Sequence, residues 1–330
     1  MKAEGKGSKA PLTEAFGNWS NAKVAILALL GATAGEAVIW YGGQFYALFF
    51  LTQTLKVDGA TANILIALSL AIGTPFFIVF GWLSDKIGRK PIMLAGFLLG
   101  AWTYFILFQG LTHYANPALE NALANAPVTV TADPKECSFQ FNPVGISQFR
   151  TSCDIAKSAL VARSVNYDNQ QAPAGTVASV KVGDQTIASF DGLSLDNDDF
   201  KTKSAAFSKA LGDAIAQHGY PAKADPSQIN YPMTVLLLTV LVIYVTLVYG
   251  PIAAWLVELF PTRIRYSGMS LPYHIGNGWF GGFLPATSFA IVAATGNIYS
   301  GLWYPVIIAA VSFLVALIFL PETKDVDITA

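Results

Sequence analysis

Five stretches of the chain run almost without charge, and their lengths set the architecture. Lys23 and Lys56 bracket 32 residues whose one charge is Glu36. Asp58 and Asp85 bracket 26 residues with none, Lys90 and Glu120 bracket 29, Asp225 and Glu258 bracket 32, and Arg265 and Glu322 bracket 56. A bilayer core is crossed by about 20 apolar helical residues. Each of the first four stretches fits one crossing. The last fits two, broken near Thr295, Gly296 and Asn297. The pattern predicts six transmembrane helices, over 24–51, 61–83, 91–111, 232–256, 268–293 and 300–320. The chain then divides into a polar segment 1–22, helices 1–3 within 23–111, an insert 112–230, helices 4–6 within 231–320 and a tail 321–330. Gly73, Thr74 and Pro75 read as a kink in the second helix.

Lys and Arg in short loops mark the cytoplasmic face. One side holds Lys2, Lys6, Lys9, Lys23, Lys86, Arg89, Lys90, Arg263, Arg265 and Lys324; the short loops of the other hold Lys56. Ten against one places both termini in the cytoplasm and the protein in the inner (cytoplasmic) membrane. Residues 1–22 lack the apolar run of a cleavable signal, so the first helix is expected to act as an uncleaved anchor.

By the same count the insert lies outside the cytoplasm. Its nine basic and twelve acidic residues all fall between Glu120 and Asp225. Residues 176–190 read as two strands joined at Gly183-Asp184. Asp198 or Asp199 is expected to cap a helix running to about Gln217, with Phe200, Phe207, Leu211 and Ile215 near one face and Gly219 as its stop. This is a small α+β domain on an all-α polytopic membrane protein. Cys137 and Cys153 both lie in it, and an oxidising compartment favours joining them over leaving two thiols. The insert could bind a ligand, dock a partner or cover the helices, and no motif separates these.

Composition removes other classes. Charged residues make up 12%, against about 25% in soluble domains. Twenty Lys and Arg against 21 Asp and Glu leave no basic excess for nucleic acid. His113, His218 and His274 stand in separate segments and supply neither a catalytic set nor a metal site, so no enzyme activity, metal or cofactor is expected. There is no phosphate-binding loop of the G-x-x-x-x-G-K-[ST] kind to support ATP-driven transport.

The loop after the second helix reads Gly81-Trp-Leu-Ser-Asp85-Lys-Ile-Gly88-Arg89-Lys90-Pro91. Gly88 allows a tight turn, Pro91 suits a first helical turn, Asp85 can accept from a neighbouring helix N-terminus and Arg89 suits a carboxylate. A generic positive loop is the plain alternative. Gly81, Asp85, Gly88, Arg89 and Lys90 resemble the signature loop of the major facilitator superfamily. Glu258-Leu-Phe-Pro-Thr-Arg263-Ile-Arg265-Tyr-Ser-Gly268 resembles its loop between helices ten and eleven, and Pro321-Glu322-Thr-Lys324 its tail after helix twelve. Trp40-Tyr-Gly-Gly-Gln44-Phe-Tyr-Ala-Leu-Phe-Phe50 resembles the seventh helix of its metabolite:proton symporter branch.

The resemblance implies the C-terminal six-helix half of a twelve-helix transporter. Its substrate site would lie at mid-membrane between halves. It implies alternating access, a small organic acid or zwitterionic metabolite and protons as cargo, and the lipid bilayer as surroundings. One half should not complete the site. That leaves a separate N-terminal six-helix half, a truncated gene, an incomplete sequence or a second copy. The resemblance also implies a Glu258–Arg89 lock on the cytoplasmic face, with Glu322 pairing Arg263 or Arg265. A membrane-anchored ligand-binding or sensor protein working through residues 112–230 is the competing reading.

Glu36 is the one acid inside a span, near mid-depth, where charge is costly and marks a pathway. A proton site and an acid hydrogen-bonded to a neighbouring carbonyl are the two readings. Thr33, Trp40, Tyr41 and Gln44 fall near its face and could line a substrate cavity, although Trp and Tyr also populate interfacial belts. The fifth helix carries Tyr273, His274 and Asn277 among Gly276, Gly278, Gly281 and Gly282, with Pro272 and Pro285. A broken helix beside polar groups suits a moving, substrate-lining element. Asn277 is the better lining candidate; packing is favoured for His274 over a proton relay.

Overall fold

The computed structural model describes residues 8–327; Lys2 and Lys6 lie outside the described residues. Six helices among them are long and apolar enough to cross a membrane: Trp19–Thr54, Gly59–Ile87, Arg89–Ala115, Tyr231–Leu259, Arg265–Thr295 and Ser300–Phe319. The first five overrun the predicted spans because polar caps sit outside the apolar runs. Asp58 accepts from the amides of Ala60 and Thr61, and Asn230 from that of Met233. The third and fourth helices form the centre. The sixth packs on the third and first, the second on the fourth, and the fifth against the first. The first and third helices approach closely at Gly100, whose missing side chain leaves room for Ile39. Ile307, Val311, Leu314 and Ile318 of the sixth helix form an exposed apolar stripe, costly in water and suited to hydrocarbon.

Two helices are irregular. The first widens into π-helical turns at Leu29–Thr33, Gly42–Tyr46 and Phe50–Thr54. The fifth runs as Arg265–Ile275, a π segment Gly276–Gly281 and Leu284–Thr295. Such turns concentrate at functional sites. The second helix breaks at Thr74, between Gly59–Gly73 and Pro75–Ile87.

The insert holds a four-stranded sheet in the order β2-β1-β3-β4, from β1 (Val128–Ala132), β2 (Asp168–Gln171), β3 (Ser179–Val182) and β4 (Gln185–Ala188). β1 is parallel to β2 and antiparallel to β3; β3 and β4 form a hairpin across Gly183-Asp184. The helix Asn197–Gln217 is capped by Asp196, not by Asp198 or Asp199, whose backbone amides donate to the Asp196 carboxylate at 2.9 and 2.8 Å. The two later acids sit in the first turn, where negative charge is favourable. Phe207, Leu211 and Ile215 are buried, while Phe200 packs on Phe190 beneath the Arg150 guanidinium. Gly219 follows with a positive φ of 86°. Cys137 and Cys153 are joined by a disulfide, with Cα atoms 5.2 Å apart, tying the loop after β1 to the helix Ser152–Val161.

A short stretch of the insert grips the ends of two membrane helices. Lys56 Nζ donates to the Ala162 carbonyl at 2.7 Å and Ser164 Oγ to that of Gln53 at 3.3 Å, holding the end of the first helix. Tyr167 donates its hydroxyl to Ala293 O (2.5 Å) and its amide to Gly296 O (2.8 Å), and Asn169 Nδ2 donates to Thr295 O (3.1 Å). Those carbonyls end the fifth helix and would otherwise lack helical partners. The insert and the turns after the first and fifth helices therefore share one end of the bundle; Asp85–Lys90 and Pro321–Lys324 occupy the other. Cysteines placed by Lys201→Cys and Asp325→Cys should react with an impermeant maleimide from opposite sides of a sealed membrane; labelling of both from one side would break this topology.

Candidate functional site

The polar groups inside the bundle converge where the first helix meets the break in the fifth. Glu36 is wholly buried. Its Oε2 accepts from Asn277 Nδ2 at 3.2 Å, and its Oε1 is buried with no hydrogen-bond partner among the described residues. Thr33 Oγ1 donates to the Pro272 carbonyl at 2.9 Å, and Gly276 lies against the Thr33 side chain. A proline cannot donate to its own helix, so the fifth helix is already weakened here; the Pro272 carbonyl accepts from both the Gly276 amide and the first-helix hydroxyl, which ties the two helices together. Asn277 Nδ2 also reaches the Tyr273 carbonyl at 3.2 Å.

Trp40 packs on Tyr249 of the fourth helix, ring centroids 4.2 Å apart, and Phe77 of the second helix meets the same tyrosine edge-on. Tyr41 fills the space beside Gly281 and packs on Phe45. Thr33, Glu36, Tyr273 and Asn277 thus come together, with Trp40 and Tyr41 as flanking aromatic walls. Gln44 lies about two turns further along and is half-buried. His274 is exposed beside Leu12, Phe16 and Tyr266, away from Glu36. Two groups escaped the sequence reading. Tyr249 sits in an uninterrupted apolar run, where an aromatic gives no sign of its face. Tyr46 is buried with its hydroxyl unpartnered, against Phe50, Phe108 and Phe289.

A second polar cluster closes the opposite end of the bundle. Arg89 opens the third helix with its side chain only 10% exposed. Its Nη2 and Nε donate to Glu258 Oε1 and Oε2 at 3.0 and 3.4 Å, and its Nη1 donates to Ser84 Oγ at 3.2 Å and to Asp85. Thr323 Oγ1 donates to Glu258 as well, at 2.5 Å. Gly88 turns the chain with φ 113°, and a side chain there would run into Glu322. Gly81 allows the second helix to approach Gly250 of the fourth.

Glu322 acts differently from the expected pairing. Its carboxylate accepts from the backbone amides of Arg89 (2.9 Å), Lys90 (3.0 Å), Thr323 (2.9 Å) and Lys324 (3.0 Å), not from Arg263 or Arg265. It caps the third helix, the role anticipated for Asp85; Asp85 instead binds Arg89. Arg263 pairs with Glu14 at 3.1 Å, and Arg265 Nε donates to the Phe260 carbonyl. The reason is geometric: the sixth helix ends beside the start of the third, where Lys90 Nζ donates to the Leu317 and Leu320 carbonyls.

Comparison with known proteins fits this arrangement. The model of the family "Sugar (and other) transporter" matches residues 206–330. The chain resembles the C-terminal half of a major facilitator superfamily transporter. A Haemophilus influenzae protein named "Putative metabolite transport protein" is 48% identical over 80 residues, 23% of this chain and 17% of that protein. Another of the same name and organism is 43% identical over 81 residues, 24% and 18% of the respective chains. A Staphylococcus aureus protein named "Putative proline/betaine transporter" is 41% identical over 51 residues, 16% of this chain and 11% of that one. The matches thus span under a fifth of these relatives' lengths. No solved structure matches significantly. Six apolar helices and transporter relatives together make this a multi-pass membrane protein.

Removing one partner of a buried ion pair strands the other charge, at about 3–5 kcal/mol. Arg89→Ala should therefore lower the detergent-solubilised Tm by several degrees. Adding Glu258→Gln should recover part of the loss, and strictly additive effects would show the two to be uncoupled. Glu322 gives a pH signature. Partial burial raises its pKa, but four backbone amides outweigh this and hold it below the ordinary 4.5. A depressed folded pKa stabilises the fold above the unfolded value, and the gain is lost as pH falls through the folded one. The Tm advantage of the native chain over Glu322→Gln should be full at pH 7 and shrink as pH falls below about 4.5 towards the lower folded pKa; an advantage independent of pH would remove this role.

Proposed function

We propose that this chain supplies one six-helix unit of a secondary active transporter that moves a small organic metabolite together with a proton by alternating access. The observation that carries the reading is Glu36: a wholly buried acid with one oxygen on Asn277 and the other unpartnered, at the break in the fifth helix. Glu36 takes up the proton on one side of the membrane and releases it on the other. Bending of the fifth helix at Gly276–Gly281 makes and breaks the Asn277 contact, linking the proton to the shape of the cavity. Thr33, Trp40, Tyr41, Gln44, Tyr273 and Asn277 line the path. On the cytoplasmic face, Arg89, Glu258 and the Gly81–Lys90 loop hold the helix ends together while the middle rearranges.

Charge favours a zwitterion over a simple anion. Between their ends the six spans carry Glu36 and no Lys or Arg, so a carboxylate cargo finds no counter-charge in this bundle, whereas an ammonium group finds Glu36 and aromatic faces. Relatives named for proline and betaine transport agree with that choice. A second six-helix unit, a separate half or another copy, closes the cavity. The test is uptake of labelled proline and glycine betaine into proteoliposomes under an inward proton gradient, with this chain alone and with an N-terminal six-helix half of a related transporter. Gradient-driven uptake is expected only with the second unit. Glu36→Gln is expected to cut it at least tenfold while exchange of substrate without a gradient survives. Full gradient-driven uptake by Glu36→Gln would remove the proton role.

A further inference from the structure

Where the insert meets the fifth helix there is an open cleft of about 390 Å³. Its walls are β1, the edge strand β2, the loop at Cys137–Phe139, Ala294 and the side chain of Lys157. No carboxylate lines it. Lys157 is 6% exposed, and among the described residues no acid lies within ion-pair distance of it. The nearby Asp154 is engaged elsewhere, accepting from the Ser138 amide and hydroxyl, both at 2.8 Å. A buried charge without a counter-charge is strongly disfavoured. Burial accordingly draws the Lys157 ammonium below lysine's usual range, against an opposing pull from Asp154.

Capping the fifth helix does not account for this lysine. Its bond to the Ala294 carbonyl is 3.4 Å, long for N–H···O. The neighbouring carbonyls are already taken by Tyr167 and Asn169. Among the described residues Lys157 Nζ makes no other hydrogen bond. On the same face of the sheet as Val130 and Ala132, the Gln171 amide adds a neutral donor; Gln170, in register with Thr131 and bonded to its hydroxyl, faces the other way.

We propose that this cleft binds the carboxylate of a small organic anion, with Lys157 as its counter-charge and the Gln171 amide as a further donor. The site lies in the insert, apart from the Glu36 cluster, and needs neither a second six-helix unit nor a gradient. It places a carboxylate-bearing molecule at the outer end of the fifth helix.

Isothermal titration of the full detergent-solubilised chain with succinate tests this, with succinamide as the uncharged control. Saturable succinate binding is expected, with succinamide at least tenfold weaker. Lys157→Met should weaken succinate at least tenfold, and Lys157→Arg should retain it. Gln171→Glu, on an exposed edge strand where folding is not at stake, should also weaken it at least tenfold by setting a negative charge in the cleft. Absence of saturable succinate binding, equal binding of succinamide, or unchanged affinity in Gln171→Glu overturns the proposal. Because no transport is measured, these outcomes are independent of the uptake test of the Glu36 mechanism.

Discussion

Helix ends are the expensive part of a membrane bundle, because their last backbone groups have no helical partner and the hydrocarbon offers none. At one end of this bundle that constraint is met by a single knot. The Glu322 carboxylate takes the opening amides of the third helix, Lys90 takes the closing carbonyls of the sixth, and Arg89 joins the second helix to the fourth through Asp85, Ser84 and Glu258. Each charged group satisfies backbone or a buried counter-charge, so none is a free surface ion whose contribution solvent would screen to about 0–1 kcal/mol. The positive φ of Gly88 is what brings the Arg89 and Lys90 amides onto Glu322. A motif that reads in sequence as a run of glycines and charges is, physically, a shared cap for helix ends.

The other end is solved by different means. Here the insert supplies the partners: Tyr167 and Asn169 for the fifth helix, Lys56 and Ser164 for the first. Both helices whose ends the insert holds carry π-helical turns. The Leu29–Thr33 turn and the Gly276–Gly281 segment lie beside Glu36 and Asn277. That is where the interior holds an unsatisfied carboxylate oxygen, a buried group of the kind that calls for a second partner.

Much of this was legible from sequence because hydrocarbon tolerates few charges: the gaps between Lys, Arg, Asp and Glu gave six helices, and Glu36 stood out as the one exception. Asn277 was visible as a polar residue among glycines. Its partner was not, because a contact 241 positions apart leaves no local trace. The insert was half-legible. The β3–β4 hairpin and the helix Asn197–Gln217 follow alternation, a turn and an amphipathic face, and Val128–Ala132 alternates too. β2 is Asp-Asn-Gln-Gln, fully exposed, and is a strand only because β1 lies beside it. Glu322 was misassigned because charge pattern suggests cations for a carboxylate, while the nearest donors were backbone amides.

The same logic separates the two polar regions of the molecule. Around Glu36 the polar groups are an acid, an amide and hydroxyls; in the insert cleft they include a cation and amides. A ligand suited to one is poorly suited to the other at its charged end. A zwitterion presents both ends, and its carboxylate would suit the cleft as its ammonium suits Glu36. The insert also caps the fifth helix beside the cleft: Asn169, which lines the cleft, donates to Thr295 O, so the cleft and the hold on that helix meet at one residue.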